Sequence, residues 1–591
     1  MAASEQPEDP PVPVEATRQA PPLWRRPGPV AAALVALWLA VTAVLLVQAW
    51  KSASAAEDEL EAIRTWATPA SLLSGQETDR LRGAEASARR ARAKLRSLPV
   101  SPLRALPVLG RQFRSADSLA LAAAEVADAG ADALEEATAL VGDDRVTRDR
   151  PRLLAGMAGI AERTAQRVDG IELGPADALV GPVARARADA AKTVDELTAG
   201  LERARLASDG LARLLDGGAQ YLLLVANNAE MRAGSGMFLT AGVATFAGGS
   251  VDVSELEATS DLLLSQPVEV EADIAERWGW LAPGREWRNL GVSPRFEVTA
   301  AQAARMWEAA RGEQVEGVLA VDVAALRAVL AAAGPIDVAG QRLDAGNIEQ
   351  DLFRDQYAGS IEENYQSERQ ERLGMVAQQA LGQLDRPDLD VALLAGELVG
   401  AARGRHLLAW SPAASMQRAW EAAGVAGTVE EDDLLLAVLN RGGNKLDQFL
   451  DVAAKISLGG ARSGQEVVID IELTNRTPAD AAPYILGPDP SLAVEPGTYV
   501  GLVSATLPGP AGGGRFDGID ELAVAGADGS NRVVAAPVTV APGTSSTLTL
   551  RFDLPRDWPG VNVLPGARIP PIAWSFADLE WFGDHAEWLE W

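Results

Sequence analysis

The sequence predicts an α+β multidomain protein carried on one membrane-spanning helix. Three observations predict it: an uncharged apolar run near the N-terminus, a long Ala-rich stretch with helical spacing, and a switch of hydrophobic period from about 3.6 to about two after residue 456. Between the last two, short apolar strands alternate with helices, as in an α/β unit. The expected order is a disordered cytoplasmic tail (1–29), a transmembrane signal anchor (30–50) and an extracytoplasmic helical bundle or stalk (51–217). A central α/β domain (218–455), an Ig-like antiparallel β-sandwich (456–556) and a Trp-rich C-terminal tail (557–591) follow.

Residues 1–29 are rich in Pro and Glu and read as disordered. "VAAALVALWLAVTAVLLVQAW", Val30 to Trp50, carries no charge and is long enough for a hydrocarbon core of about 30 Å. Trp24, Arg25 and Arg26 precede it and Trp50 and Lys51 follow, marking two interfaces. Arg18, Arg25 and Arg26 against Lys51 and Arg64 place the N-terminus in the cytoplasm. The rival is a signal peptide cleaved after "ASA" at Ala55, but the run exceeds the usual apolar region of about 7–15 residues.

"EDELEAIRTWATP" continues the membrane helix to Pro69. "RLRGAEASARRARAKLRSLP" is a second helix, broken by Pro99, Pro102 and Pro107. Two more helices come from the segments after Arg111 and after Asp177, with small residues spaced for close packing. The basic stretch Arg80–Arg114 reads either as a solvated face or as a contact for anionic lipid or wall polymer. In the central unit, "YLLLVAN", "MFLTAGVATF", "VEGVLAVD" and "RHLLAW" read as strands. Thr299 and Gln302 suggest a capping box, Asp322 an N-cap, Gly334-Pro335 a stop, and Ser411-Pro412 a helix start. From Ser457 on, "EVVIDIELTNRT" and its successors alternate between Pro and Gly turns. In the tail, Trp574, Trp581 and Trp588 recur every seven residues, which reads as a helical stripe or a partner-binding tail.

Composition excludes several chemistries. Net charge −29 argues against nucleic acid as a partner. With no Cys, the chain has no disulfide, thiolate nucleophile or Cys-ligated metal; with only His406 and His585, a His-based metal cluster is nearly excluded. His406, in "GRHLLAWSP", reads as a structural histidine, since no G-x-S-x-G elbow accompanies it. Only five of 53 basic residues are Lys, a usage typical of a GC-rich bacterial genome.

One connection stands out. Between two apolar strands lie Asn227, Asn228, Glu230, Arg232, Gly234 and Gly236, too long and too charged for a tight hairpin. Two readings are open: Glu230 and Arg232 pair with each other or with Arg354 and Asp355 to pin the loop, or they grip an anion that the glycines let the backbone approach. "LLLVANNAEMRAGSGMF", "VEGVLAVDVAALRAVLAAAGPIDVAG" and "LLLAVLNRGGNKLDQFL" resemble the actinobacterial proteins grouped as domain of unknown function 4012. That resemblance implies an envelope location and no proven activity. More weakly, the central domain is similar to the LytR–CpsA–Psr family, which transfers glycopolymers from a polyprenyl diphosphate carrier. By that likeness Arg232, Arg354, Arg369 and Arg372, with Asn228 and Glu230, would line one cleft for an anion or diphosphate. Mg²⁺ is the one cofactor such a set would hold, and prenyl-diphosphate lipid or cell-wall polymer the partner beside membrane lipid. The motif is incomplete: Asp355 and Gln356 follow Arg354 where the family has a second Arg, and Gln follows Arg369 instead of Arg372. A non-catalytic scaffold of the cell envelope is the alternative.

Overall fold

A computed structural model describes residues 37–55, 76–143, 148–357, 364–386, 388–460 and 464–591. The expected tail 1–29 and the continuation of the membrane helix to Pro69 lie outside these residues. Among the described residues, Leu37–Ala55 (α1) is the one helix long and apolar enough to cross a membrane. The chain mixes helices with several sheets and divides into two compact units, one of residues 1–65, 80–128 and 170–194, the other holding the rest.

The first unit is helical. α2 (Gln76–Leu95) and the first part of α3 (Leu109–Val141) run antiparallel, joined by a turn that contains the three expected prolines. Their contact is built from small side chains, with Ala88 against Ala124, which lets the backbones approach closely. Arg82 reaches Asp128 and Arg96 clamps Asp117 with two bonds of 2.7 and 2.8 Å, which fixes the register.

The second unit holds the first turn of α2, the rest of α3, α4 (Arg150–Asp169), a helix not among those singled out above, and most of α5 (Gly181–Gly217). Next come β1 (Gly218–Met231), β2 (Gly236–Ala247), β3 (Ser250–Val253) and β4 (Glu257–Ala258). α6 (Phe296–Arg311) leads to β5 (Gly317–Val321), and α7 (Val323–Ala333) to the small hairpin of β6 (Ile336–Val338) and β7 (Gln341–Leu343). α8 (Ile348–Phe353), α9 (Asn364–Gly382) and α10 (Val391–Arg403) precede β8 (Leu407–Trp410) and α11 (Ala414–Ala422).

The sheet order is β3-β2-β1-β5-β8, with β1 and β5 parallel and the other pairs antiparallel. Its two faces bury alternate residues of β1: Tyr221, Leu223 and Val225 on one side, Leu222, Leu224 and Ala226 on the other. That two-sided cover explains why "YLLLVA" is continuously apolar. Asp322 caps α7 through bonds to the backbone N–H of Ala324 and Ala325, and Gly334 ends it at φ +85°, both as expected. Two helix starts differ. α6 begins at Phe296, so Thr299 and Gln302 sit inside it and bond to the carbonyls of Leu290 and Pro283 instead of forming a capping box. α11 starts after Ala413, because the Ser411 hydroxyl is drawn to Glu316 O.

The remaining strands are β9 (Asp433–Asn440), β10 (Leu450–Gly460), β11 (Gln465–Asn475), β12 (Tyr499–Leu507), β13 (Gly512–Phe516) and β14 (Val524–Asp528). β15 (Asn531–Val540), β16 (Ser545–Leu554), β17 (Gly560–Leu564), β18 (Ala573–Phe576), β19 (Leu579–Phe582) and β20 (Glu587–Glu590) complete them. They form two six-stranded sheets, β13-β16-β11-β10-β18-β19 and β14-β15-β12-β9-β17-β20, around one apolar core. Strands from both sides of the 456–556 stretch join these sheets. The outer face of the β9-bearing sheet packs on Ile274, Trp278 and Val298, so every residue of β9 is buried.

The tail is not a helical stripe. Trp574 and Trp581 are cross-strand partners in a hairpin turning at Ala577-Asp578, with rings stacked 5.8 Å apart, while Trp588 lies on β20. A spacing of seven suits two turns of helix and this hairpin equally, so spacing alone does not choose between them.

Candidate functional site

β1 changes character at Asn227. Its first half is sheet core; its second half, still buried, carries Asn227, Asn228, Glu230 and then Arg232 into the junction with the sandwich. A bulge between Val225 and Ala226 and a register break after Asn227 release the strand from simple pairing with β2. The glycines serve close packing of backbone. A Cβ on Gly236 would lie 2.5 Å from the Asn227 carbonyl, and one on Gly234 2.9 Å from Ser293 O.

The centre of the junction is Asp447. It is fully buried and accepts from Arg568 Nη1 (2.8 Å), the Tyr499 hydroxyl (3.0 Å), Asn440 Nδ2 (2.9 Å) and the backbone N–H of Met231 (3.1 Å). Burial and the adjacent carboxylate push the Tyr499 phenol well up, which keeps it a donor. Arg232 donates to the carbonyls of Met231, Arg288 and Asn440 and to Asn289 Oδ1. Burial, reinforced by the charge of Arg441, pulls its guanidinium down to about 10.

Glu230 and Arg232 do not pair with each other. The Glu230 carboxylate meets the ammonium of Lys445. Lys445 also sits 5.9 Å from the ring centres of Tyr357 and Tyr484, which are themselves stacked. Burial lowers Lys445 to about 7, against the opposing pull of Asp447. A cavity of about 50 Å³ adjoins this pair, lined in part by Asn227, Arg288, Gln356 and Tyr357. Such a volume suits a water or two and not a diphosphate.

Asn228 donates to Asp322 (2.7 Å) and to Ala567 O (2.8 Å). Asp322 also holds His406 Nδ1 at 2.6 Å while capping α7. Burial disfavours the charged imidazole, yet the Asp322 charge and hydrogen bond outweigh it and raise the His406 pKa.

The arginines expected in one cleft are each engaged by protein groups where their side chains are described. Arg354 is exposed, bonded to Gln448 Oε1 (2.9 Å) and stacked over Phe449. Arg372 is clamped by Asp351 and Gln341. The side chain of Arg369 lies outside the described residues. Arg232, Arg354 and Arg372 share no hydrogen-bond partner, and none of the three lines the cavity beside Glu230. Nor does the donor set suit Mg²⁺, which takes oxygen ligands in near-octahedral array. Glu230 faces an ammonium, and the described residues contain no group of three His, Asp or Glu able to hold a metal.

Lys445, Asp447, Asn440 and Arg568 are the residues the sequence reading does not single out. The signal available was density: "NRGGNKLDQF" packs six polar side chains into ten residues at the end of a strand, and Lys445 is one of five lysines in an arginine-rich chain. Of the tryptophans in the 276–291 loop, Trp278 and Trp287 are core residues and Trp280 is exposed beneath Arg441.

Buried polar groups thus join the first strand of the α/β sheet to the β-sandwich. Residues 216–357, from the end of α5 to Tyr357, match the family described as Protein of unknown function (DUF4012). No curated protein matches the chain, and no solved structure does.

Proposed function

We propose that the chain is a non-catalytic scaffold of the bacterial cell envelope, anchored by α1 with its N-terminus in the cytoplasm and its bulk outside. The observation that carries this reading is the fate of the charged β1–β2 loop: Glu230, Arg232 and Asn228 are all engaged inside the protein. The likeness to the LytR–CpsA–Psr family is then one of layout, with the diphosphate grip lost, because Asp351 neutralises Arg372 and backbone carbonyls occupy Arg232. Membrane lipid is the partner of the anchor; prenyl-diphosphate lipid and wall polymer are the ligands the rival reading requires. The test is calorimetric titration of the full chain in nanodiscs with Mg²⁺ and a prenyl diphosphate. The scaffold reading expects no saturable heat. Saturable binding that is lost in Arg369→Ala restores the anion-site reading.

A further inference from the structure

The turn between α2 and α3 is unusual for a surface segment. Leu98 is 87% exposed and Val108 68%, with Leu106 and Leu109 exposed beside them. The same turn touches α1: Trp38 Nε1 and Thr42 Oγ1 both donate to Pro99 O, at 2.8 and 3.2 Å. Five residues earlier, the Lys94 ammonium reaches Gln48 O and Ser52 Oγ, flanking the Trp50-Lys51 interface mark. Two contacts therefore fix the depth of the turn along α1. At 1.5 Å per residue, Thr42 and Trp38 lie about 12 and 18 Å below Trp50, near the middle of a hydrocarbon core of about 30 Å.

We propose that the turn of residues 97–109 is inserted into the hydrocarbon of the bilayer, beside the helix that anchors the chain. This rests on the reading of α1 as membrane-spanning. Hydrocarbon requires irregular chain to satisfy its own polar groups, and five N–H groups of the turn do so within the protein. Val100, Ser101, Leu103, Ala105 and Leu106 all donate to carbonyls of the turn, and Pro99, Pro102 and Pro107 have no N–H to satisfy. Its one charged residue, Arg104, faces Asp117, which Arg92 and Arg96 also approach, so the cluster keeps a net positive charge. Arg89 and Arg90, exposed one turn above Lys94, fall at the height of lipid headgroups, where basic side chains are favoured. The hairpin of α2 and α3 thus stands with its tip in the membrane, a second point of attachment that restricts rotation about α1.

The chain contains no cysteine, so single cysteines report position directly. Leu98→Cys, Val108→Cys, Val44→Cys in α1 and Leu263→Cys on the exposed surface are labelled with an environment-sensitive fluorophore. The full chain is reconstituted in vesicles of phosphatidylcholine and phosphatidylglycerol. Probes at 98 and 108 are expected to emit to the blue of the 263 probe, to resist aqueous iodide, and to be quenched by mid-chain nitroxide lipid as strongly as the probe at 44. Iodide quenching at 98 and 108, with nitroxide quenching retained at 44, overturns the inference and leaves the anchor intact. Iodide quenching at 44 as well removes the anchor reading and the inference together. Shielding of 98 and 108 from both quenchers shows protein covering the tip, such as a second copy, and also overturns it.

Discussion

Asp447 and Glu230 are two buried carboxylates at one junction, and they are solvated by the protein in different ways. Asp447 has four donors, including a guanidinium and a backbone N–H, so its charge is stabilised on all sides. Glu230 depends on Lys445, whose own charge is disfavoured by burial. A buried charge with many fixed donors is an anchor, whereas a lone buried pair comes close to balancing its desolvation cost. The first holds the α/β sheet to the sandwich; the second sets the entry angle of the loop without adding much net stability.

The largest effect should follow from Asp447→Asn, which leaves Arg568 buried without its counter-charge. We expect a loss of about 3–5 kcal/mol, read by chemical unfolding of the full chain. Glu230→Gln alone should cost less than that, because the Lys445 amine, already lowered to about 7 by burial, sheds its proton when its partner is removed. The double variant Glu230→Gln/Lys445→Met should recover most of that loss and finish within about 1 kcal/mol of the parent. A double variant as unstable as Asp447→Asn breaks the comparison, since the pair would then be an anchor too.

The pH dependence sharpens it. Lys445 titrates near 7 in the folded chain, against about 10.4 when unfolded. Between those values the unfolded state binds more protons, so this group makes stability rise with pH, by at most about 1.4 kcal/mol per unit. His406 acts in the opposite sense: its raised pKa contributes stability that is full below about 6.5 and is lost as pH rises through the folded value. Unfolding midpoints at rising pH should climb less in Lys445→Met than in the parent. Equal slopes in both would show that the Lys445 ammonium is not penalised by burial.

The contrast also explains what the sequence allowed to be read. β1, α7 and its Asp322 cap depend on neighbours a few residues away, and their patterns are local. The junction depends on pairs far apart in the chain: Met231 and Asp447 are separated by 216 residues, Asn228 and Ala567 by 339. No local spacing encodes such partners. A charged loop that will be buried therefore looks like one that grips a ligand, and Arg232 reads as an anion contact until Asn440 O is found beside it. Arg369 and Arg372 have the spacing of one helical face, but Asp351, which clamps Arg372, comes from a different helix.

Arg354 gives the smallest effect and the finest discrimination. Its guanidinium is exposed, has one side-chain bond, to Gln448, and lies 5.0 Å from the Phe449 ring centre. Exposed contacts of this kind contribute about 0.5–1 kcal/mol. Gln448 remains fixed without it, since its amide also donates to Phe353 O and Lys445 O. Arg354→Ala should therefore change unfolding free energy by no more than about 1 kcal/mol and leave the Lys445 titration unmoved. If the change is several times larger, Arg354 belongs to the junction and the polar hub extends to α8. If stability is untouched but binding of inorganic pyrophosphate to the full chain falls, Arg354 is a ligand contact, and the scaffold reading fails at that residue while the Asp447 anchor stands.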